Sequence, residues 1–166
     1  MHPSLQQAAT MRPFNIYKSP GHLVRRANQI FVSLFIEQLA DQLTPVQFGL
    51  MAVLQASEGL DQITLAKKLA LDKSTAGAVL ARLEAKGWVE RRSDPTDLRR
   101  RVLYATRKGR SVYQAVRDEA EKTQRRFLKP LDAQEREVFL RLLTKLVVSN
   151  NENSRAPLHA EASIED

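Results

Sequence analysis

Apolar residues recur along this chain at helical spacing, interrupted once by a short β-like stretch. Ser19-Pro20 offers an N-cap followed by a proline suited to a first helical turn. Behind it Leu23, Ala27, Ile30, Phe31, Leu34, Phe35 and Leu39 fall three and four apart and form one broad apolar face. Thr44-Pro45-Val46-Gln47 repeats the start signal as a capping box and predicts a helix to about Ser57, ended by Gly59. A short Thr-capped helix is expected over residues 63–69. After a break at Ala70-Leu71, Asp72 caps another that runs to Lys86 and stops at Gly87. The pattern then changes. Residues 88–92 and 101–105 are β-rich runs around the turn-formers Ser93-Asp94-Pro95-Thr96-Asp97, which reads as a hairpin. Thr106 caps a long helix to about Lys129, Pro130 ends it, and Asp132 with Glu135 caps a last one. That last helix carries Val138, Phe139, Leu142, Leu143, Leu146 and Val147 on one side.

Two helices joined by a tight turn and followed directly by a hairpin define a winged helix-turn-helix. The predicted fold is mainly α with a small β-hairpin wing. Residues 1–18 read as an N-terminal arm and residues 149–166, rich in Asn, Ser and acid, as a flexible tail.

Charge gives this outline a partner. The chain has 166 residues and a net charge of +7. Residues 61–110 contain 13 basic and 6 acidic side chains, so the whole excess lies in the helix-turn-helix and hairpin. Lys and Arg gathered in this way release condensed counterions from a polyanion such as double-stranded DNA. On the second helix of the pair, Thr75, Ala76, Val79, Leu80 and Leu83 share a face that can pack inward, while Lys73, Ser74, Gly77, Ala78, Ala81 and Arg82 fall opposite. A helix entering a groove about 12 Å wide wants small side chains for close approach and a few donors for base edges and phosphates. Lys73, Ser74, Gly77, Ala78 and Arg82, with Thr75 at the helix start, are therefore the candidate contacts. In the hairpin, Arg99 suits a narrow minor groove and Asp97 is placed to orient it, while Arg91, Arg92, Arg100 and Arg101 face phosphates or the solvent side of the strands.

These residues resemble a known family. Leu65-Ala66 through Leu69, Asp72-Lys73-Ser74-Thr75, Arg82-Leu83-Glu84-Ala85-Lys86-Gly87-Trp88-Val89-Glu90-Arg91, Asp94-Pro95-Thr96-Asp97-Leu98-Arg99 and Leu103-Tyr104-Ala105-Thr106-Arg107-Lys108-Gly109 look like the helix-turn-helix and wing of the MarR family of bacterial transcription regulators. The resemblance covers residues 43–109. It implies a homodimer, triangular in outline, in which residues 19–43 and 107–148 intertwine as a helical dimerisation region and two winged domains, residues 44–106, reach successive major grooves of a palindromic operator. Leu98 departs from the family, which usually has arginine there; Arg100 and Arg101 are possible substitutes for that contact. The pattern itself agrees with a dimer, because the first helix and the last two carry more apolar surface than a small winged domain can cover.

The first helix also carries His22, Arg25 and Arg26, cations at i, i+3 and i+4 along an otherwise apolar element. A guanidinium beside Ile30 and Phe31 suits a carboxylate attached to a ring; intersubunit ion pairs are the competing role. Residues 19–31 are similar to the N-terminal helix of MarR-type repressors of aromatic-acid degradation, whose ligands include hydroxybenzoates, protocatechuate and hydroxycinnamates. In those proteins an arginine on this helix holds the ligand carboxylate. The sequence does not choose between Arg25 and Arg26, though Arg26 lies nearer Phe31 and the apolar face. The expected partners are thus DNA, a second copy of the chain and a small aromatic acid effector.

Other functions find less support. The chain has no cysteine, which excludes thiolate metal sites, a cysteine nucleophile and thiol redox sensing. No metal-ligand cluster or Gly-rich phosphate loop calls for a cofactor, and two of the three histidines, His2 and His159, lie in the predicted arm and tail, so catalysis is not expected. The longest uncharged stretch, residues 42–57, is too short for a membrane span of about 20 residues. The opening Met1-His2-Pro3-Ser4 shows no secretory leader. The chain is expected in the cytoplasm, at the nucleoid. A nonspecific architectural DNA-binding protein and a regulator of drug or stress response with a promiscuous apolar pocket are the rival readings. Activation rather than repression also stays open.

Overall fold

The computed structural model describes residues 14–39 and 42–159. Six α-helices and a two-stranded sheet follow one another as α1 (Pro20–Leu39), α2 (Pro45–Ala56), α3 (Gln62–Lys68), α4 (Lys73–Ala85), β1 (Val89–Ser93), β2 (Arg101–Ala105), α5 (Arg107–Phe127) and α6 (Ala133–Ser149). Most helix starts are set by the residues read from sequence. Thr44 and Gln47 exchange both capping-box bonds, Asp72 and Thr106 accept at the starts of α4 and α5, and Asp132 with Glu135 closes the second capping box. The cap of α3 differs from expectation. Asp61, one residue before the helix, takes the backbone N–H groups of Ile63 and Thr64, and the Thr64 hydroxyl donates to the same carboxylate. An ionised acid satisfies two orphan donors at the positive helix end, which a threonine cannot match.

Strands β1 and β2 pair antiparallel from Val89 opposite Ala105 to Ser93 opposite Arg101. Trp88, read as a strand residue, sits just outside: its N–H donates to the Leu83 carbonyl and closes the end of α4. An addition to the predicted hairpin is a bridge from Leu60, whose carbonyl accepts from Leu103 while Gly59 donates to the Leu103 carbonyl. Gly59 has a φ of 75°, so the chain turns out of α2 in a conformation that glycine adopts freely.

One core joins these parts. Leu50, Met51 and Leu54 of α2, Leu65 of α3, Leu80 and Leu83 of α4, Trp88, Val89 and Leu103 around the wing, and Val116 and Ala120 of α5 are buried together with Phe35, Leu39 and Leu43. Helix α1 packs along α5. Helix α6 is different, since none of its residues is buried and Leu140, Leu142, Leu146, Val147 and Val148 are each about half exposed.

The arm and tail also have local structure within the described range. Asn15 caps a 3-10 turn over Ile16–Lys18; residues 1–13 lie outside the described residues. Beyond α6, where the sequence predicts flexibility, Asn151–Asn153 form another 3-10 turn. The Asn151 amide then brackets Leu158, donating to its carbonyl and accepting from its N–H, and the His159 N–H donates to the Lys67 carbonyl at 3.0 Å. Residues 160–166 lie outside the described residues.

The junction between wing and α5 is closely packed. The Trp88 carbonyl accepts from the Thr106 N–H at 2.9 Å, and a Cβ on Gly109 would lie 2.0 Å from that carbonyl oxygen. No side chain fits there without moving backbone. Gly109→Ala is expected to cost about 3 kcal/mol as an overpacking change, and to lower the thermal midpoint by roughly 5–10 °C in a calorimetric scan.

Candidate nucleic-acid interface and effector cavity

Helices α3 and α4 are joined through Leu69, Ala70 and Leu71. The Leu71 N–H returns to the Ala66 carbonyl at 2.9 Å, and Ala70 takes a φ of 50°. A left-handed alanine costs roughly 1 kcal/mol, which the buried contacts of Leu65 and Ala66 hold in place. Asp72 starts α4: its carboxylate accepts the Thr75 N–H at 2.9 Å and the Thr75 hydroxyl at 2.8 Å. These bonds hold the Asp72 carboxyl below its ordinary pKa.

The two faces of α4 divide as read, with two exceptions. Ala76, Val79, Leu80 and Leu83 are buried, while Lys73, Ser74, Ala78, Ala81 and Arg82 are exposed. Thr75, expected inward, is exposed because its hydroxyl is drawn to the cap. Gly77, expected outward, is partly covered, and a Cβ there would touch the Gln62 amide at 3.4 Å.

Of the wing arginines, several are engaged within the chain. Arg91 lies against Glu84 at 2.6 Å and donates to Gln62 at 3.0 Å. Arg92 pairs with Glu90 and lies over the Tyr104 ring. Arg101 donates to the Ser93 hydroxyl. Arg100, offered as a substitute for the missing Leu98 contact, instead spans the structure, at 2.6 Å from Asp61 and 3.6 Å from Asp94. Asp97 does orient the tip, but through the backbone: its carboxylate accepts the Arg99 N–H at 3.0 Å, not the guanidinium. Among the described residues, Lys73, Arg82 and Arg99 enter no ion pair. They share this with Lys67, Lys68 and Arg107, but lie on α4 and at the wing tip.

Sequence reading missed the acids that do the holding. Asp61 is the central one: the Thr64 N–H, then the Arg100 guanidinium and the Thr64 hydroxyl, bring its carboxyl from an ordinary 3.8 to about 2. Its place immediately before a helical run was the available signal.

The effector candidates on α1 are more dispersed. The His22 ring meets Tyr17 edge-on at 5.7 Å, and the Arg25 guanidinium lies 3.5 Å from His22 Nδ1. Arg26 donates to the Gln29 side chain at 3.0 Å, and Ile30 is about half exposed. A cavity of about 370 Å³ opens between α1, the end of α5 and α6, lined by Leu23, Val24, Ala27, Asn28, Phe31, Phe127, Phe139 and Leu143. Phe31 is the one sequence candidate in that lining. His22, Arg25, Arg26 and Ile30 stay outside it, and Arg26 instead borders a shallower hollow that shares Asn28. From Phe31 a run of ring contacts leads through Phe35 and Phe48 to Tyr113, with centroids 5.9, 5.8 and 5.2 Å apart, and Phe127 meets Phe31 at 5.6 Å. The cavity is thereby in ring contact with α2 of the winged domain.

A helix-turn-helix with a clamped wing and an outward basic face defines the class as a winged-helix DNA-binding regulator. Comparison with known proteins makes it specific. Residues 41–100 match the model of the MarR family. The chain is 31% identical to the HTH-type transcriptional repressor NicR of Pseudomonas putida over 83% of its own length and 88% of the relative's. The solved structure of the PcaV transcriptional regulator of Streptomyces coelicolor, in complex with its natural ligand, superposes with a TM-score of 0.78 at 32% identity, covering 84% of this chain and 99% of that one. Bordetella bronchiseptica BpsR, whose DNA binding is regulated by 6-hydroxynicotinic acid, gives 0.76 at 28% identity over 81% and 97%. The chain belongs to the MarR family and is a DNA-binding transcription regulator, not an enzyme. Among the described residues no helix is long and apolar enough to cross a membrane.

The sign of the Asp61 shift sets a test. A carboxylate whose folded pKa is lowered adds stability in full above its ordinary value and loses it as pH falls towards about 2. The difference in thermal midpoint between wild type and Asp61→Asn is expected to be constant above about pH 5 and to close progressively below it. Asp61→Asn is also expected to weaken DNA binding without lowering the salt dependence, because no cation is removed.

Proposed function

We propose that the chain is a repressor that binds a palindromic operator as a homodimer and is released by a small aromatic carboxylate such as a hydroxybenzoate. Lys73, Ser74, Thr75, Ala78 and Arg82 of α4 lie in the major groove in this reading, with Arg99 in the flanking minor groove. The exposed apolar side chains of α6 are the surface a second copy covers. The observation that carries the effector reading is the cavity itself, in which Phe31, Phe127 and Phe139 enclose a space sized for one or two rings and connect by ring contacts to Phe48. The cations of α1 stand outside that lining on the same helix, and the carboxylate is held by Arg25 or Arg26 at its margin. BpsR, which responds to a ring carboxylate, supports this assignment by likeness. Ligand occupancy shifts the dimer towards a state whose recognition helices no longer match the groove spacing of about 34 Å.

One observation favours a second reading. The lining is apolar apart from Asn28, which suits an uncharged ring and a less selective drug- or stress-responsive regulator.

A titration separates the two. With protein bound to its own promoter DNA, 4-hydroxybenzoate or 6-hydroxynicotinate is expected to weaken DNA binding about 5- to 150-fold, and Arg25→Ala or Arg26→Ala is expected to abolish the response. Equal release by 4-hydroxybenzamide would favour the uncharged ligand, and no response to any ring carboxylate would defeat the proposal. Separately, Arg99→Ala is expected to reduce DNA affinity about 5- to 100-fold and to lower the slope of log K against log salt.

A further inference from the structure

We propose that Leu98 is an apolar wedge that enters the minor groove beside Arg99 and favours operators carrying an easily unstacked pyrimidine–purine step at that position. This rests on the reading of Arg99 as a minor-groove residue and adds a determinant of sequence preference to it. The tip of the wing is a tight turn. Arg100 N–H donates to the Asp97 carbonyl at 2.9 Å and Arg99 N–H to the Asp97 carboxylate at 3.0 Å, which puts Leu98 and Arg99 at its two central positions. The turn is anchored behind. The Asp94 N–H donates to the Arg100 carbonyl at 2.9 Å, Asp94 in turn accepts from Thr96 at 2.8 Å, and the Arg100 guanidinium is held by Asp61.

The hairpin has a place for apolar side chains and Leu98 is not in it. Val102 and Leu103 are each 1% exposed, whereas Leu98 is 77% exposed in a tip whose other residues, apart from Pro95, are polar or charged. A lone exposed leucine needs no explanation on an ordinary surface. Here it is fixed next to a cation with no ion pair, on the element directed at DNA. A minor groove about 6 Å wide admits such a side chain between its sugar walls, and leucine is among the wedges that minor-groove proteins insert between base steps. TA and CA/TG steps unstack most cheaply, so an inserted leucine is read as a preference for them.

The test uses duplexes of about 30 base pairs, near three helical turns, selected from a random pool by the full-length protein. Hydroxyl-radical cleavage locates the wing contact, and the step there is then set to TA, CA or GG. Wild type is expected to bind TA and CA about 5- to 100-fold more tightly than GG and to raise the fluorescence of 2-aminopurine placed in the step. Leu98→Ala is expected to lose both effects, Leu98→Met to keep them, and Leu98→Arg to bind with steeper salt dependence but no step preference. Retention of the preference by Leu98→Ala, or a silent 2-aminopurine with wild type, would overturn the wedge. If Arg99→Ala weakens binding while Leu98→Ala changes nothing, the wedge alone fails; if Arg99→Ala is also without effect, the minor-groove reading of the wing fails with it.

Discussion

The carboxylate of Asp61 is the point on which the placement of the wing against the helix-turn-helix depends. It closes the start of α3, receives the Thr64 hydroxyl and holds Arg100 from the far side of the wing. A two-stranded hairpin by itself is marginally stable in water, and β1 and β2 have few means of staying in place. Burial of Val102 and Leu103 fixes the root and the Leu60 bridge fixes the flank. Arg100 fixes the tip. The tip is thereby tied to the first helix of the helix-turn-helix, which limits how far Arg99 can move relative to Lys73 and Arg82 on α4.

This arrangement divides the basic residues into two groups. Arg91, Arg92, Arg100 and Arg110 are matched to Glu84, Glu90, Asp61 and Glu58 within the chain, although exposed pairs of this kind contribute little stability each. Their value is in placement. Of the 13 basic residues between 61 and 110, four are paired within the chain and nine enter no ion pair among the described residues, Lys73 and Arg82 on α4 and Arg99 at the wing tip being three of these.

The readable features of the sequence were local. Capping at Thr44, Asp72, Thr106 and Asp132 depends on residues three positions apart, and each cap forms as read. The misreadings have equally local causes. Thr75 falls on the inward face by helical periodicity, but an N-terminal hydroxyl follows its cap. Trp88 has β propensity, yet its N–H is taken by the end of α4. Asp61 was passed over as a cap because Thr64 also resembles one. What could not be read were contacts between distant segments: Phe31 meets Phe127 and lines one cavity with Phe139, Arg100 finds Asp61, and His159 returns to Lys67. A cation triplet on α1 was visible in sequence, but its offset from the cavity is set by helix packing that no single helix encodes.

The glycine at position 109 has a mechanical consequence. Because its missing side chain lets α5 sit directly on the Trp88 carbonyl, and because Thr106 and Lys108 also bond to the carbonyls of Gly87 and Lys86, the winged domain is welded to the first turn of α5. That helix has 21 residues and is about 31 Å long at 1.5 Å per residue. On a helix of that length, a tilt of about 10° would displace one end relative to the other by about 5 Å, close to half the width of a major groove.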